Sequence, residues 1–316
     1  MRLRSVLLAV LMVFLANAPG LAQEAREKVR VFVSILPQKY FVERIAGDLA
    51  EVSVLVTPGK SPATYSPTPD QVRKLAQAHV YFRIGVSFEN GFMHKIASIA
   101  PDTRVVDTRK GISMREMEGH IHEQDSHGAH GHDPDGKAEH DLHGRGDGHA
   151  DMGAGKDPHI WMSPLRVKQQ AATMTETLKA LAPEHAVLFR ENYEAFARDL
   201  DRLHARLKTI LAPLAGQNFF VFHPAFGYLA DDYGLVQVPV ETMGRAPKGK
   251  ELSAIIRLAK EEKTRVIFVQ PQFDQQAARK IAAAINGAVV SIDPLAPDYL
   301  DNMVKMADTI ADAMKP

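Results

Sequence analysis

Beyond Gln23, short apolar runs alternate with amphipathic stretches, and that alternation sets the expected elements. The run KVRVFVSIL is β-branched and apolar and stops at Pro37, which predicts a buried strand over about 29–35. In QKYFVERIAGD, Phe41 and Ile45 are four apart and Gly47 is a stop, the marks of a short helix. EVSVLV is a second strand; it runs into TPGKSPATYSPTP, a proline-rich loop that favours extended backbone. DQVRKLAQA then reads as a helix, HVYFRIG as a strand, ENGFMHKIASIA as a helix and RVVDT as a strand. Strands alternating with helices in this way predict a parallel sheet covered on both faces.

The pattern lapses over Gly119 to His149, GHIHEQDSHGAHGHDPDGKAEHDLHGRGDGH, which has no apolar periodicity and almost no large apolar residue. It reads as a solvated, mobile loop. Order resumes at DPHIWMSPLRV with helices over roughly 164–181 and 184–212, broken at ALAPEH, where Pro183 suits a helix start. The second carries Leu188, Tyr193, Phe196, Leu200, Leu203, Leu207 and Leu211 and would be roughly 40 Å long. From Phe219 the first pattern returns. FFVFH, LVQVPVE, RVIFVQ and AVVSID are strands; PAFGYLADDY, GKELSAIIRLAKEEK and QQAARKIAAAIN are helices; a last helix covers 298–314.

The expected fold class is therefore α/β: two lobes, each a parallel sheet flanked by helices, joined by a long rigid helix. The expected bounds are 23–182 for the N-terminal lobe, with a His-rich disordered loop at 119–156, then 183–212 for the linking helix and 213–316 for the C-terminal lobe.

The leader MRLRSVLLAVLMVFLANAPGLAQEA changes the expected compartment. Arg2 and Arg4 precede an apolar run, Val6 to Leu15, too short to span a bilayer, and GLA fits a cleavage site near Ala22. Residues 1–22 read as a signal peptide that sends the protein to the periplasm, the alternative being an uncleaved anchor. No cysteine follows, which rules out lipoprotein attachment. Cleavage removes two arginines and no acid, turning a formal charge of +0 into a net −2. No later segment is apolar enough to insert in a membrane, and the charge gives no reason to expect nucleic acid. The mature chain is expected to be a soluble monomer.

Hydrophobic residues make up 45% of the chain, enough for a packed core without disulfides. With Cys 0, any metal site must be built from nitrogen and oxygen donors. In open α/β sheets ligands bind beyond the carboxyl ends of the strands, and between two lobes the cleft is the default site. His223 directly follows FFVF and Asp293 directly follows AVVSI, so both emerge at one carboxyl edge. His159 lies in DPHIWMSP, bracketed by Pro158 and Pro164, with Trp161 able to dry the site. These three are candidate ligands of the kind that suits Zn2+ or Mn2+. Each has a plainer alternative. His223 could open a helix at HPAF, Asp293 could cap one before PLAPDYL, and His159 could be a buried histidine bonded to a carbonyl. His79, His94, His185 and His204 read as surface or capping residues.

At this point several segments together resemble one family. SILPQKYFVERIAGD, PGKSPATYSPTPDQ, DPHIWMSP, HPAFGYLADDYGL, VIFVQPQFD and IDPLAPDYLDNM follow one another in the order found in periplasmic zinc/manganese substrate-binding proteins of bacterial ABC transporters. The resemblance covers about residues 29–314. It implies two α/β lobes, one metal ion in the cleft, and a membrane permease as partner. It also implies His159 from DPH, His223 as the zinc-type ligand where manganese-type members carry glutamate, and Asp293 from DPL. The His-rich insertion is typical of zinc-type members and implies an accessory, metal-collecting loop.

One departure bears on the chemistry. The family's loop usually reads G-x-x-P-H-x-Y, and its histidine is the fourth ligand; here GKSPATY has Ala63 in that place. Gln270 also stands where many members have Glu, which does not read as a lost ligand. The fourth donor to a tetrahedral zinc could then be water, a nearby oxygen such as Tyr65, or a loop histidine among His120, His122, His127, His130, His132, His140, His143 and His149. The expected function is capture of Zn2+, with Mn2+ less favoured, for import by an ABC transporter. The alternatives are a periplasmic zinc buffer or chaperone without a transporter, and a manganese-type binding protein. An enzyme is not expected. Three ligands plus water is the pattern of catalytic zinc, but there is no HExxH and no placed base. Because histidine ligands must be neutral, affinity should fall below about pH 6.5.

Overall fold

The computed structural model describes residues 28–117, 155–241 and 245–315. The signal peptide expected at 1–22 and the histidines expected to collect metal, His120 to His149, lie outside the described residues.

The first sheet is built from β1 (Val29–Val33), β2 (Ala50–Val54), β3 (Val80–Arg83) and β4 (Arg104–Asp107). Between them run α1 (Leu36–Ala46), α2 (Pro69–Leu75) and α3 (Ser87–Ile99). The strand order is β2-β1-β3-β4, parallel throughout, with Val31 level with both Val52 and Val80. Two helices follow, α4 (Pro164–Leu181) and α5 (Ala186–Leu211). At 26 residues α5 is roughly 40 Å long, as its leucine spacing predicts. The second sheet contains β5 (Asn218–Val221), β6 (Val236–Pro239), β7 (Val266–Val269) and β8 (Ala288–Ser291). Its helices are α6 (Gly227–Tyr233), α7 (Lys250–Glu261) and α8 (Gln276–Ala284), and α9 (Tyr299–Met314) closes the chain. The order β6-β5-β7-β8, again all parallel, repeats the topology of the first sheet.

Two local differences from the sequence expectation matter for the site. α6 starts at Gly227, so His223 is not a helix-start residue. The stretch between is a tight turn, in which Ala225 N donates to His223 O at 2.7 Å and Phe226 N donates to the Gln237 side chain at 2.8 Å. Similarly, the helix that begins at Tyr299 within PLAPDYL is preceded by Asp298, so Asp293 is not its cap. The loop expected over 119–156 ends earlier, because Lys156 and Gly155 pair with Glu116 and Met117 in an antiparallel bridge.

Alternation along the second-sheet strands sends side chains to two cores. Phe220, Ile267 and Val269 pack with Ile255, Ala259 and Ile281 of α7 and α8. Phe219, Val221 and Phe268 face the other way and join one cluster that also holds the first sheet, α1, α4, α5 and α9. The terminal helix is central to this join. Tyr299 meets Phe41 edge-on at 4.9 Å between ring centroids, and Phe41 lies 5.9 Å from Phe196 of α5. Thus α9 spans the long helix and packs on the first half of the molecule.

The proline-rich loop is pinned by one side chain. Gln71 Oε1 accepts from Thr68 N at 3.0 Å and from the Tyr65 hydroxyl at 2.7 Å, while its amide donates to Leu55 O at 2.7 Å. Thr68 Oγ1 in turn accepts from Gln71 N at 3.3 Å, which completes a capping box at the start of α2.

Candidate metal centre

A cavity of about 230 Å³ opens at the carboxyl edges of both sheets. Ser61, Ala63, Gly85 and Ser87 contribute from the first half, and His159, His223, Gln270, Gln272 and Phe273 are placed across from them or beside them. In the second sheet the strand order reverses at β5 and β7, and His223 and Gln270 follow those two strands. This is the switch-point crevice where open α/β sheets bind ligands.

The structure brings His159 and His223 together. Their Nε2 atoms are 3.3 Å apart. On His159, Nδ1 lies 2.7 Å from Asp157 Oδ1, and on His223, Nδ1 lies 2.6 Å from Glu241 Oε1. A carboxylate only accepts hydrogen bonds, so in the neutral ring each Nδ1 carries the proton and each Nε2 presents a bare lone pair. Two such lone pairs facing each other at 3.3 Å repel unless a cation stands between them.

Asp157 and Glu241, which hold the two candidate ligands, are not singled out by the sequence. Asp157 is fully buried; its Oδ1 also accepts from His159 N at 2.9 Å, and its Oδ2 faces Arg115 Nη1 at 3.4 Å. Burial alone would raise its carboxyl, but the adjacent His159 and Arg115 outweigh that and hold it below the usual range. Burial lowers the His159 imidazole below its ordinary value, against the pull of Asp157, so the ring is neutral and ready to ligate. The Tyr228 hydroxyl donates to Asp157 O at 2.8 Å; burial pushes its phenol up to about 12, so it stays a donor. A signal was present for both acids. Asp157 stands two before His159 in DPH, and Glu241 closes the strand segment VPVE beside FFVFH.

Packing fixes the two rings. Phe273 stacks on His223 at 4.7 Å with 24° between planes, and Trp161 lies 5.0 Å from His159. Gln270 bonds both ways to the His223 main chain, accepting from N at 3.2 Å and donating to O at 2.7 Å. It therefore supports a ligand candidate rather than acting as one.

Asp293 sits farther along the same edge. It follows β8, and β7 lies between β8 and β5, which sets strands carrying Asp293 and His223 about 10 Å apart. Its Oδ1 accepts from Gln272 Nε2 at 2.7 Å and from Leu295 N at 2.9 Å. Among the described residues no group of three or more His, Asp or Glu side chains is gathered at metal-holding distance. Tyr65 donates to Gln71 and lines a different cavity with Thr57, Lys60 and Thr64.

The opposite wall is equally fixed. The buried Glu89 carboxylate accepts from Ser34 Oγ at 2.6 Å, Ile84 N at 3.0 Å and Gly85 N at 2.8 Å, which locks the β3–α3 turn. Gly85 has φ +87, a backbone conformation that side-chain-bearing residues rarely adopt, and a Cβ there would also have to push the Arg109 guanidinium aside from 2.1 Å, so the position favours glycine.

With this geometry in place, the likeness to known proteins is specific. The chain is 26% identical to the high-affinity zinc uptake system protein ZnuA of Yersinia pestis, covering 89% of this chain and 86% of that one. It is 24% identical to the ZnuA protein of Bacillus subtilis, covering 95% and 92%. A crystal structure of ZnuA superposes with a TM-score of 0.77 at 36% identity, covering 90% of this chain and 99% of that chain. Among the described residues no helix is long and apolar enough to cross a membrane. The sequence model of ZnuA, the periplasmic component A of the zinc-uptake complex, matches residues 31–313, and the chain belongs to that family of substrate-binding proteins.

Proposed function

We propose that this protein captures Zn2+ between His159 and His223, with Asp293 as the carboxylate ligand, and delivers the ion to an ABC-transporter permease for import. The observation that carries this reading is the Nε2–Nε2 separation of 3.3 Å between two rings, each held by a carboxylate at Nδ1. Two nitrogens at 2.0–2.1 Å from one tetrahedral zinc sit roughly 3.3 Å apart, so the pair already has the spacing the ion requires. Asp293 supports the reading from its place at the same edge. Its Oδ1 is taken by Gln272 and Leu295, while Oδ2 has no donor among the described residues and is the atom to turn toward the ion.

Two imidazoles and one carboxylate favour Zn2+ over Mn2+, which prefers more oxygen donors. The ion is cargo held for transfer, and no catalytic role is assigned to it. The segment carrying His120 to His149 is proposed as a collector that feeds this site; its flanking residues Met117 and Gly155 belong to the described part, and both line the cavity.

Competition titration of the mature protein tests the proposal. Zinc should bind tighter than manganese, and His159→Ala or His223→Ala should each weaken zinc by at least a hundredfold. Tighter manganese binding, or zinc affinity indifferent to both substitutions, would sink it. Deleting 119–149 should slow capture at low zinc and leave the equilibrium affinity of the His159–His223 site in place. Transport is read separately, as zinc-limited growth that needs both this protein and the permease; growth support without the permease would favour a buffer.

A further inference from the structure

Gln272 stands between Asp293 and the cavity. Its side chain lines the cavity that His159 and His223 share. Because the carboxylate can only accept, the amide atom facing Asp293 Oδ1 at 2.7 Å must be the nitrogen. The other amide atom, Oε1, is then a buried carbonyl oxygen with no hydrogen-bond partner among the described residues. Buried acceptors of this kind are rarely left without a donor. The neighbouring metal candidates cannot supply one, since the Nε2 atoms of the neutral histidines and the Asp293 carboxylate only accept.

A second observation bears on the donor. Ala63 also lines the cavity and brings no donor atom to the ion. Two histidines and one carboxylate oxygen leave one position of a tetrahedral zinc to be filled. A water there is a strong hydrogen-bond donor, because the bound cation acidifies it.

Resting on the zinc-binding reading above, we propose that Gln272 determines how this site completes its coordination. Its Nε2 holds Asp293 by one oxygen, and its Oε1 accepts from a zinc-bound water in the position that Ala63 leaves open. Gln272 is thus a positioning residue for the cargo, acting through a water and through Asp293 rather than by ligation.

The test is a double-mutant cycle across the cavity, read by chelator-competition affinity and by zinc-edge X-ray absorption. Gln272→Leu should weaken zinc about tenfold in the wild-type background and disorder one oxygen of a two-nitrogen, two-oxygen shell. Ala63→His should replace one shell oxygen with nitrogen. In that background Gln272→Leu should cost less than threefold, since the introduced imidazole takes the place of the water. Equal losses in both backgrounds would reduce Gln272 to a support for Asp293 and overturn the water assignment. A loss below twofold with an unchanged shell would overturn the proposal entirely. Metal-free melting of each variant separates these effects from misfolding. If the wild type binds zinc no more tightly than His159→Ala does, the site reading itself fails, and that result is distinct from any outcome at position 272.

Discussion

The indole Nε1 of Trp161 donates to the carbonyl oxygen of Pro294 at 2.9 Å. This bond ties the segment bearing His159 to the segment bearing Asp293, across the two halves of the chain. Tyr299 reinforces it by donating its hydroxyl to Trp161 O at 2.7 Å. Trp161→Phe keeps a ring in the core but strands the Pro294 carbonyl. It should cost about 1–2 kcal/mol of stability and weaken zinc several-fold by loosening Asp293 relative to His159. Urea unfolding and zinc titration of the same preparation would check both effects, and unchanged stability with unchanged affinity would refute the link.

The paired acids behind the histidines should matter nearly as much as the rings. Asp157→Asn and Glu241→Gln keep shape but let the amide compete for the other imidazole tautomer. Each should weaken zinc by about 10–100-fold. Proton-detected NMR of the imidazoles should show Nδ1–H in the wild type and mixed tautomers in the variants.

Gly227 should control His159 without touching it. A Cβ at this position would lie 1.5 Å from Arg115 Nη1 and 3.0 Å from Asp157 Oδ2. Gly227→Ala must therefore displace Arg115 from Asp157, an overpacking change of about 1–3 kcal/mol. Adding Arg115→Ala to Gly227→Ala should recover part of the loss, because the obstructing guanidinium is gone; a still larger loss would place the clash elsewhere.

Acid should destabilise the metal-free protein in two steps. The His159 pKa is lowered by burial, so below its unfolded value near 6.5 the unfolded chain binds a proton that the folded chain refuses. Stability from this site is complete above that pH and falls as pH drops toward the folded pKa, at no more than about 1.4 kcal/mol per pH unit. Asp157 is also lowered, so its contribution is complete above its unfolded value and is lost only as pH falls through its lower folded one. Denaturant midpoints between pH 7.5 and 4.5 should slope less in His159→Gln than in the wild type. A parallel pair of curves would rule out His159 as the source of the first step.

The elements were legible in the sequence because period and punctuation were strong. The long helix, expected over 184–212, runs from Ala186 to Leu211, and Pro183 begins the short turn before it. The candidate site was legible in its parts, since strand ends alone place His223 and Asp293 at one edge. Their spacing was not legible, because strand order is not written along the chain. Nothing local reveals that β7 separates β5 from β8. For the same reason the partners of the histidines stayed hidden. Glu241 reaches His223 because β6 lies beside β5, a neighbour relation set by the whole sheet. Gln272 was equally silent, as its meaning depends on Asp293 being alongside.

The place of α9 also bears on the order in which the molecule can be completed. Tyr299, Met303, Met306 and Ile310 enter the same apolar cluster as Phe41 and Phe196. A nascent chain lacking its last helix would therefore leave the aromatic faces of α1 and α5 wet, and its first half unfinished. The core of the first half is therefore complete only once α9 has packed against α1 and α5, which makes that packing a late, long-range step in reaching the native state.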